Sequence, residues 1–209
     1  IFSSHQQFNY LVPQIDIINK NLLEINQDQA YELEDEPQVS FVFKNSIEFK
    51  NVKFKYSDKT ILDNLNFLIE KNSFVGIKGE SGSGKSTILN ILTGLISPTE
   101  GQILIDGKSQ NLSTRVWQKK IGFVSQNTHL LDDTIKINIA FGSDEEQIDE
   151  KLMEDCVKKS GLENFIQNLD EGINTIVGEN GTKISGGQIQ RIGIARAFYK
   201  KPEILILDE

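Results

Sequence analysis

Apolar residues in the first thirty positions, Phe8, Leu11, Val12, Ile15, Ile18, Leu22 and Ile25, recur at three- and four-residue steps, the period of an amphipathic helix. Pro13 marks a kink or a fresh turn within it. From Asn26 to Gln38 the chain carries Asp28, Glu32, Glu34, Asp35 and Glu36 with little to bury, which predicts a solvated linker. The period then shortens. Ile47, Phe49, Val52, Phe54 and Tyr56, followed by Leu65, Phe67 and Ile69, alternate mostly in twos, predicting two antiparallel strands joined around Ser57-Asp58-Lys59. Phe74–Lys78 reads as a short apolar strand that runs into a glycine-rich turn, and Ser86–Leu95 as a helix closed by Gly94 and Pro98. Further strands are expected at Gln102–Asp106, Ile121–Ser125 and Ile204–Leu207, and helices at Ile148–Ser160 and Gln188–Lys200. No internal repeat or low-complexity stretch interrupts this order, which is that of an α/β protein.

The 209 residues suffice for one sizeable core with an appendage. Lys and Arg number 22 against 30 Asp and Glu, a net charge of −8, and the isoelectric point is near 4.9, so a general phosphate-neutralising surface is absent and nucleic acid is not expected as a partner. No apolar run approaches the ~18 residues of a membrane span. The single cysteine, Cys156, excludes an internal disulfide framework and fits a reducing compartment, where it serves as a small buried hydrophobe. The chain opens at Ile1 without a secretory leader and stops at Glu209 directly after an apolar run, as expected of a piece of a longer protein.

Three stretches carry chemistry. Gly79-Glu80-Ser81-Gly82-Ser83-Gly84-Lys85-Ser86 has two glycines five apart followed by Lys and Ser, the pattern of a phosphate-binding loop. Its glycines let successive backbone amides curl inward, and the helix that follows adds its positive end. Lys85 then reaches the β- and γ-phosphates as a mobile cation, and the hydroxyl of Ser86 ligates Mg²⁺. Ile204-Leu205-Ile206-Leu207-Asp208-Glu209 is an apolar run ending in two acids, suited to a parallel strand buried on both faces that delivers carboxylates to the ligand-binding edge of a sheet. Asp208 is placed to hold Mg²⁺ and Glu209 to polarise an attacking water. Ser185-Gly186-Gly187-Gln188 offers a hydroxyl and free amides at a second helix start, again suited to an anion.

In this order the three stretches resemble the nucleotide-binding domain of ATP-binding-cassette (ABC) transporters over about residues 46–209. The loop resembles the family's Walker A, Ile204–Glu209 its Walker B, and Ser185–Gln188 its signature, with Ile184 where leucine is commoner. The resemblance implies a P-loop NTPase with a RecA-like core, an antiparallel β subdomain and a helical signature subdomain at about 127–187, cut off after Walker B. It implies ATP as substrate with Mg²⁺. Gly79, Ser81, Gly82, Ser83, Gly84, Lys85, Ser86 and Thr87 are implied to bind the nucleotide, Tyr56 to stack on adenine, and Ser86, Gln126 and Asp208 to hold the metal. Glu209 is implied as the catalytic base, and Gln126 as the glutamine that couples the site to the transport domain. Val177–Gly181 is similar to a loop with which the family's exporters touch their membrane domain.

The same resemblance makes residues 1–45 the cytoplasmic end of a last transmembrane helix plus linker. It places the protein at the cytoplasmic face of a membrane, as a half-transporter whose membrane domain is on the same chain. Two such domains, in a homo- or heterodimer, pair head to tail, so Ser185, Gly186, Gly187 and Gln188 serve ATP bound by the partner. Beyond Walker B the family carries a D-loop and a switch histidine, which neither His129 nor His5 replaces; the fragment alone is therefore expected to bind nucleotide weakly and hydrolyse it poorly. Arg191 reads as a solvated helix residue. The alternatives are a soluble ABC ATPase outside transport and a nucleotide-binding module without turnover. The Gly178–Gly181 and Gln188–Arg191 stretches resemble lipid-linked oligosaccharide flippases and their multidrug, lipid and peptide-exporting relatives.

Overall fold

The structure, a computed structural model, describes residues 43–178 and 181–208, within a unit that begins at Phe41. The amphipathic stretch 1–25, the acidic linker, Glu179, Asn180 and Glu209 lie outside the described residues.

The alternating segments form β1 (Ser46–Tyr56) and β2 (Lys59–Glu70), antiparallel and joined across Ser57-Asp58. Ile47 and Phe49 face the core, and the alternation then slips because Asn51 adopts a left-handed φ of 52°, putting a bulge before Val52. That extra residue returns Val52 and Phe54 to the buried face. Phe49 stacks on Phe67 of β2 with ring centroids 4.3 Å apart. On its other side β1 pairs with β3 (Glu100–Ile105), and β3 with the short β4 (Lys108–Ser109), giving the order β2-β1-β3-β4. Asp106, at the turn between β3 and β4, accepts the backbone N–H groups of Lys44, Asn45 and Ser46 and so anchors the start of β1.

A second sheet holds β5 (Ile121–Val124) and β6 (Ile204–Leu207) in parallel register, Val124 opposite Leu207. Helix α1 (Lys85–Leu92) buries Thr87, Ile88, Ile91 and Leu92 at one-, three- and four-residue steps. Ile88, Ile91 and Leu92 share one hydrophobic cluster with Ile121, Ile206 and the inner face of the antiparallel sheet. Trp117 of the short α2 (Arg115–Gln118) is fully buried there, and its indole N–H donates to the Leu92 carbonyl at 2.7 Å, satisfying one of the open acceptors at the end of α1.

Two expectations need correction. Phe74–Lys78 forms no strand: it has no ladder partner among the described residues, and Phe74 is 97% exposed. Its apolar composition makes extended backbone easy, but a strand exists only where a neighbour offers matching hydrogen bonds. In β6 only Ile206 is buried, while Leu205 and Leu207 are exposed, so the strand is parallel as expected but is covered on one face alone among the described residues.

The remaining helices surround a separate cluster. These are α3 (Ile135–Ile139), α4 (Glu150–Lys159), α5 (Glu163–Gln167) and α6 (Gly186–Tyr199). Leu130, Ile135, Ile139, Met153, Cys156, Leu162, Val177, Ile192 and Ala195 make this second core. Thr134 and Asp149 cap α3 and α4 by accepting the N–H of Ile137 and Leu152. Burial pushes the Cys156 thiol up, which leaves it an inert packing group. Arg191, exposed on α6, is tied down rather than merely solvated: its guanidinium donates to the Gly161 carbonyl at 3.0 Å.

The two sheets are tied by one ionic cluster. Glu203, just ahead of β6, pairs with Lys120, just ahead of β5, and with Lys71, just after β2, at 3.5 Å. The hydrogen bond from Lys120, reinforced by both lysine charges, holds the Glu203 carboxyl below its ordinary range. A depressed carboxyl stabilises the fold above the unfolded-state value and loses that contribution as pH falls through the folded value. Glu203→Gln is therefore expected to lower stability by about 1 kcal/mol at neutral pH, the group being partly solvated. Thermal melts of the two proteins should converge as the pH drops below about 4, and a difference that persists in acid would exclude the ionic origin.

Candidate functional site

Gly84 is where the loop becomes a helix. It caps α1 with φ 91°, a left-handed conformation, and a side chain there would bring Cβ within 2.8 Å of Leu62 and 3.2 Å of Ile61. Both backbone and space therefore require glycine. The turn leaves the first amides of α1 open at the end of the loop, where the helix dipole is positive. Ser81, Gly82 and Ser83 are exposed, and the Ser83 N–H closes a turn on the Glu80 carbonyl at 3.2 Å. Ser86 presents its side chain to solvent, whereas Thr87 points into the core.

Lys85 has a feature the sequence did not disclose. Its ammonium folds back along the loop and donates to the carbonyls of Gly79 at 2.9 Å and Glu80 at 2.8 Å. The cation is thus held at the loop by two neutral acceptors.

The parallel pairing brings two other expected residues to one edge. The Asp208 N–H donates to the Val124 carbonyl at 2.9 Å, extending the pairing by one residue, so its half-buried carboxyl leaves β6 at the carboxyl end. Gln126, exposed, follows two residues after the end of β5 on the same edge. Because α1 packs on these strands through the first core, loop, glutamine and aspartate rest on one scaffold. No group of three or more His, Cys, Asp or Glu side chains able to hold a metal occurs among the described residues. The donors that are present, a serine hydroxyl, one carboxylate and an amide oxygen, suit Mg²⁺, which takes most of its shell from water and substrate phosphates.

Ser185–Gln188 stand on the other core. Ser185 caps α6 by accepting the Gln188 N–H at 3.3 Å, and the Gln188 side chain accepts the Ser185 N–H at 2.7 Å, a complete capping box. Gln188 is thereby committed to shaping the helix start, while the hydroxyl proton of Ser185 and the exposed Gly186 and Gly187 face outward. Tyr56, at the end of β1, is 52% exposed and meets Phe54 edge to face at 4.8 Å, so its ring lies on the surface and not in the core. Of Val177–Gly181, Val177, Gly178 and Gly181 are buried.

Sequence reasoning passed over Asn138 and Arg196. Asn138 is fully buried, and its side chain bonds to Leu131 and Thr134 backbone groups; Arg196 donates to its carbonyl and to that of His129. The signal was available: Asn138 is a lone amide between Ile137 and Ile139, and Arg196 lies between two alanines.

A glycine-bent loop capping a helix, with a lysine over it and a carboxylate at the end of a parallel strand, defines a phosphate-loop nucleotide-binding fold. Residues 62–209 match the ABC transporter family, and the chain belongs to that family as one of its ATPase domains. It is 41% identical over 186 residues to an ATP-dependent lipid A-core flippase of Syntrophus aciditrophicus (strain SB), covering 88% of this chain and 30% of that protein. It is also 41% identical over 166 residues to a multidrug resistance ABC transporter ATP-binding and permease protein of Lactococcus lactis subsp. lactis (strain IL1403), covering 78% and 28%. Among solved structures, a bacterial Atm1-family ABC exporter with ATP bound superimposes with a TM-score of 0.73 at 40% identity, over 80% of this chain and 30% of that one. The chain thus spans under a third of the length of these relatives. No described helix is long and apolar enough to cross a membrane.

Proposed function

We propose that this domain binds and hydrolyses MgATP to drive export through a membrane domain carried on the same chain, pairing head to tail with a second copy or close relative at the cytoplasmic face. The observation that carries this reading is the presence of two anion-binding helix starts on two different cores of one chain. Each chain then supplies the phosphate loop of one site and the signature of the other. The relatives support it, since their names join ATP binding to a permease, a flippase or an exporter.

In this reading Gly79, Ser81, Gly82, Ser83, Gly84 and Thr87 line the loop with backbone amides, and Lys85 leaves its two carbonyls for the phosphates. Ser86, Gln126 and Asp208 would hold Mg²⁺, which supplies charge neutralisation at the β- and γ-oxygens when bound. Tyr56 stacks on the base. Glu209 accepts the proton of the attacking water, and Ser185, Gly186 and Gly187 offer the partner's γ-phosphate a hydroxyl and amides where charge develops.

Mixed dimers test the arrangement. One protomer of the intact transporter carries Lys85→Ala and the other Ser185→Arg. If the sites are shared between chains, both lesions fall in one site and the second stays whole, so the mixed dimer retains ATP occlusion that neither pure mutant dimer shows. A mixed dimer as empty as the parents would mean each chain builds its site alone.

A further inference from the structure

We infer that Arg196, with Asn138, Thr128 and Gly193, is a positioning clamp that holds the loop following Gln126 on the signature helix and so sets where Gln126 sits. This rests on the reading above that Gln126 and Ser185 both serve ATP.

Two independent contacts make the clamp. At Gly193 the missing side chain lets Thr128 lie directly on α6: a Cβ there would stand 2.7 Å from Thr128 Oγ1 and 2.9 Å from its Cγ2. One turn further on, Arg196 donates through Nη1 to the His129 carbonyl at 3.0 Å, through Nε to the Asn138 carbonyl at 2.8 Å, and through Nη2 to Asn138 Oδ1 at 3.2 Å. The same Oδ1 accepts the Leu131 N–H at 2.8 Å, while Nδ2 donates to the carbonyls of Leu131 at 3.1 Å and Thr134 at 3.0 Å. The loop from Thr128 to Thr134 is therefore bonded at its start, middle and end to α6 or to an amide that α6 holds.

The chemistry exceeds what packing alone asks for. Among the described residues no carboxylate pairs with Arg196; its partners are three oxygens and the face of Phe141, 5.0 Å from the guanidinium carbon. Arg196 is partly buried, and taking a charge out of water onto neutral acceptors carries a cost. What the guanidinium adds is a planar fork that fixes three acceptors at once, which Lys cannot do. Gln126 lies only two residues before Thr128, and Ser185 eleven residues before Arg196, about 16 Å along a rigid helix. The clamp therefore fixes where the chain leaves Gln126 relative to the signature helix.

The test uses ATP hydrolysis and nucleotide affinity of the intact transporter. Gly193→Ala inserts the forbidden Cβ and is expected to lower kcat about tenfold, as small misplacements of catalytic groups do, with ATP affinity unchanged. Adding Thr128→Ala removes the two obstructing atoms and should restore kcat to within about threefold of wild type, while thermal melts of the single variant stay close to wild type if the defect is one of position. Wild-type turnover in Gly193→Ala, or a double variant as slow as the single, overturns the clamp. For the arginine, Arg196→Ala should cost about tenfold in the wild-type background and little in a Gln126→Ala background; additive losses overturn its action through the loop. Unimpaired turnover in Gln126→Ala itself would remove Gln126 from the site and overturn the clamp, whereas unchanged MgATP binding in Lys85→Ala would instead strike the nucleotide reading.

Discussion

Lys85→Ala is expected to weaken MgATP binding about a hundredfold and to reduce turnover at least as much. Removing one partner of a desolvated charge pair costs a few kcal/mol, and in the proposed site the γ-phosphate loses a protein cation. The full Coulomb energy is not at stake, because the lysine already bonds to the Gly79 and Glu80 carbonyls and exchanges those bonds on binding. Titration of the intact protein with MgATP measures the loss directly. Unchanged affinity would show that Gly79–Ser86 does not hold phosphate.

Glu209→Gln should separate binding from chemistry. The residue follows Asp208 in the chain, and in the proposed mechanism its carboxylate takes the proton of the attacking water. An amide keeps the size and loses the basicity. General-base catalysis is worth about 10²–10⁴-fold, so kcat should fall by that factor while nucleotide affinity stays within about threefold of wild type. Near-normal turnover in single-cycle phosphate release would mean that another group takes the proton.

Much of this was legible along the chain because the informative features are local. A left-handed glycine before a helix, a Ser-Gly-Gly helix start and four apolar residues before an acid each impose their geometry within a few residues. The hairpin was legible from alternation, yet its bulge at Asn51 was visible only as a slip in phase. Phe74–Lys78 misled because apolar composition reports a capacity to be extended and says nothing of a neighbour. Gln188 shows the opposite case: its place in the motif pointed outward to the nucleotide, and the fold spends its side chain on the cap of its own helix. Arg196 and Asn138 escaped notice since their meaning lies in a pairing 58 residues apart, which no window along the chain can report.

The tether on Lys85 also sets a threshold for what can occupy the loop. A ligand must offer the ammonium more than two well-placed carbonyls already do. Chloride or a lone carboxylate supplies a single charge and leaves most of the loop amides unfilled. A polyphosphate tail fills the amides and recruits the cation in the same event. In the proposed site the resting loop thereby weighs a ligand by its valence before any feature of the base is read.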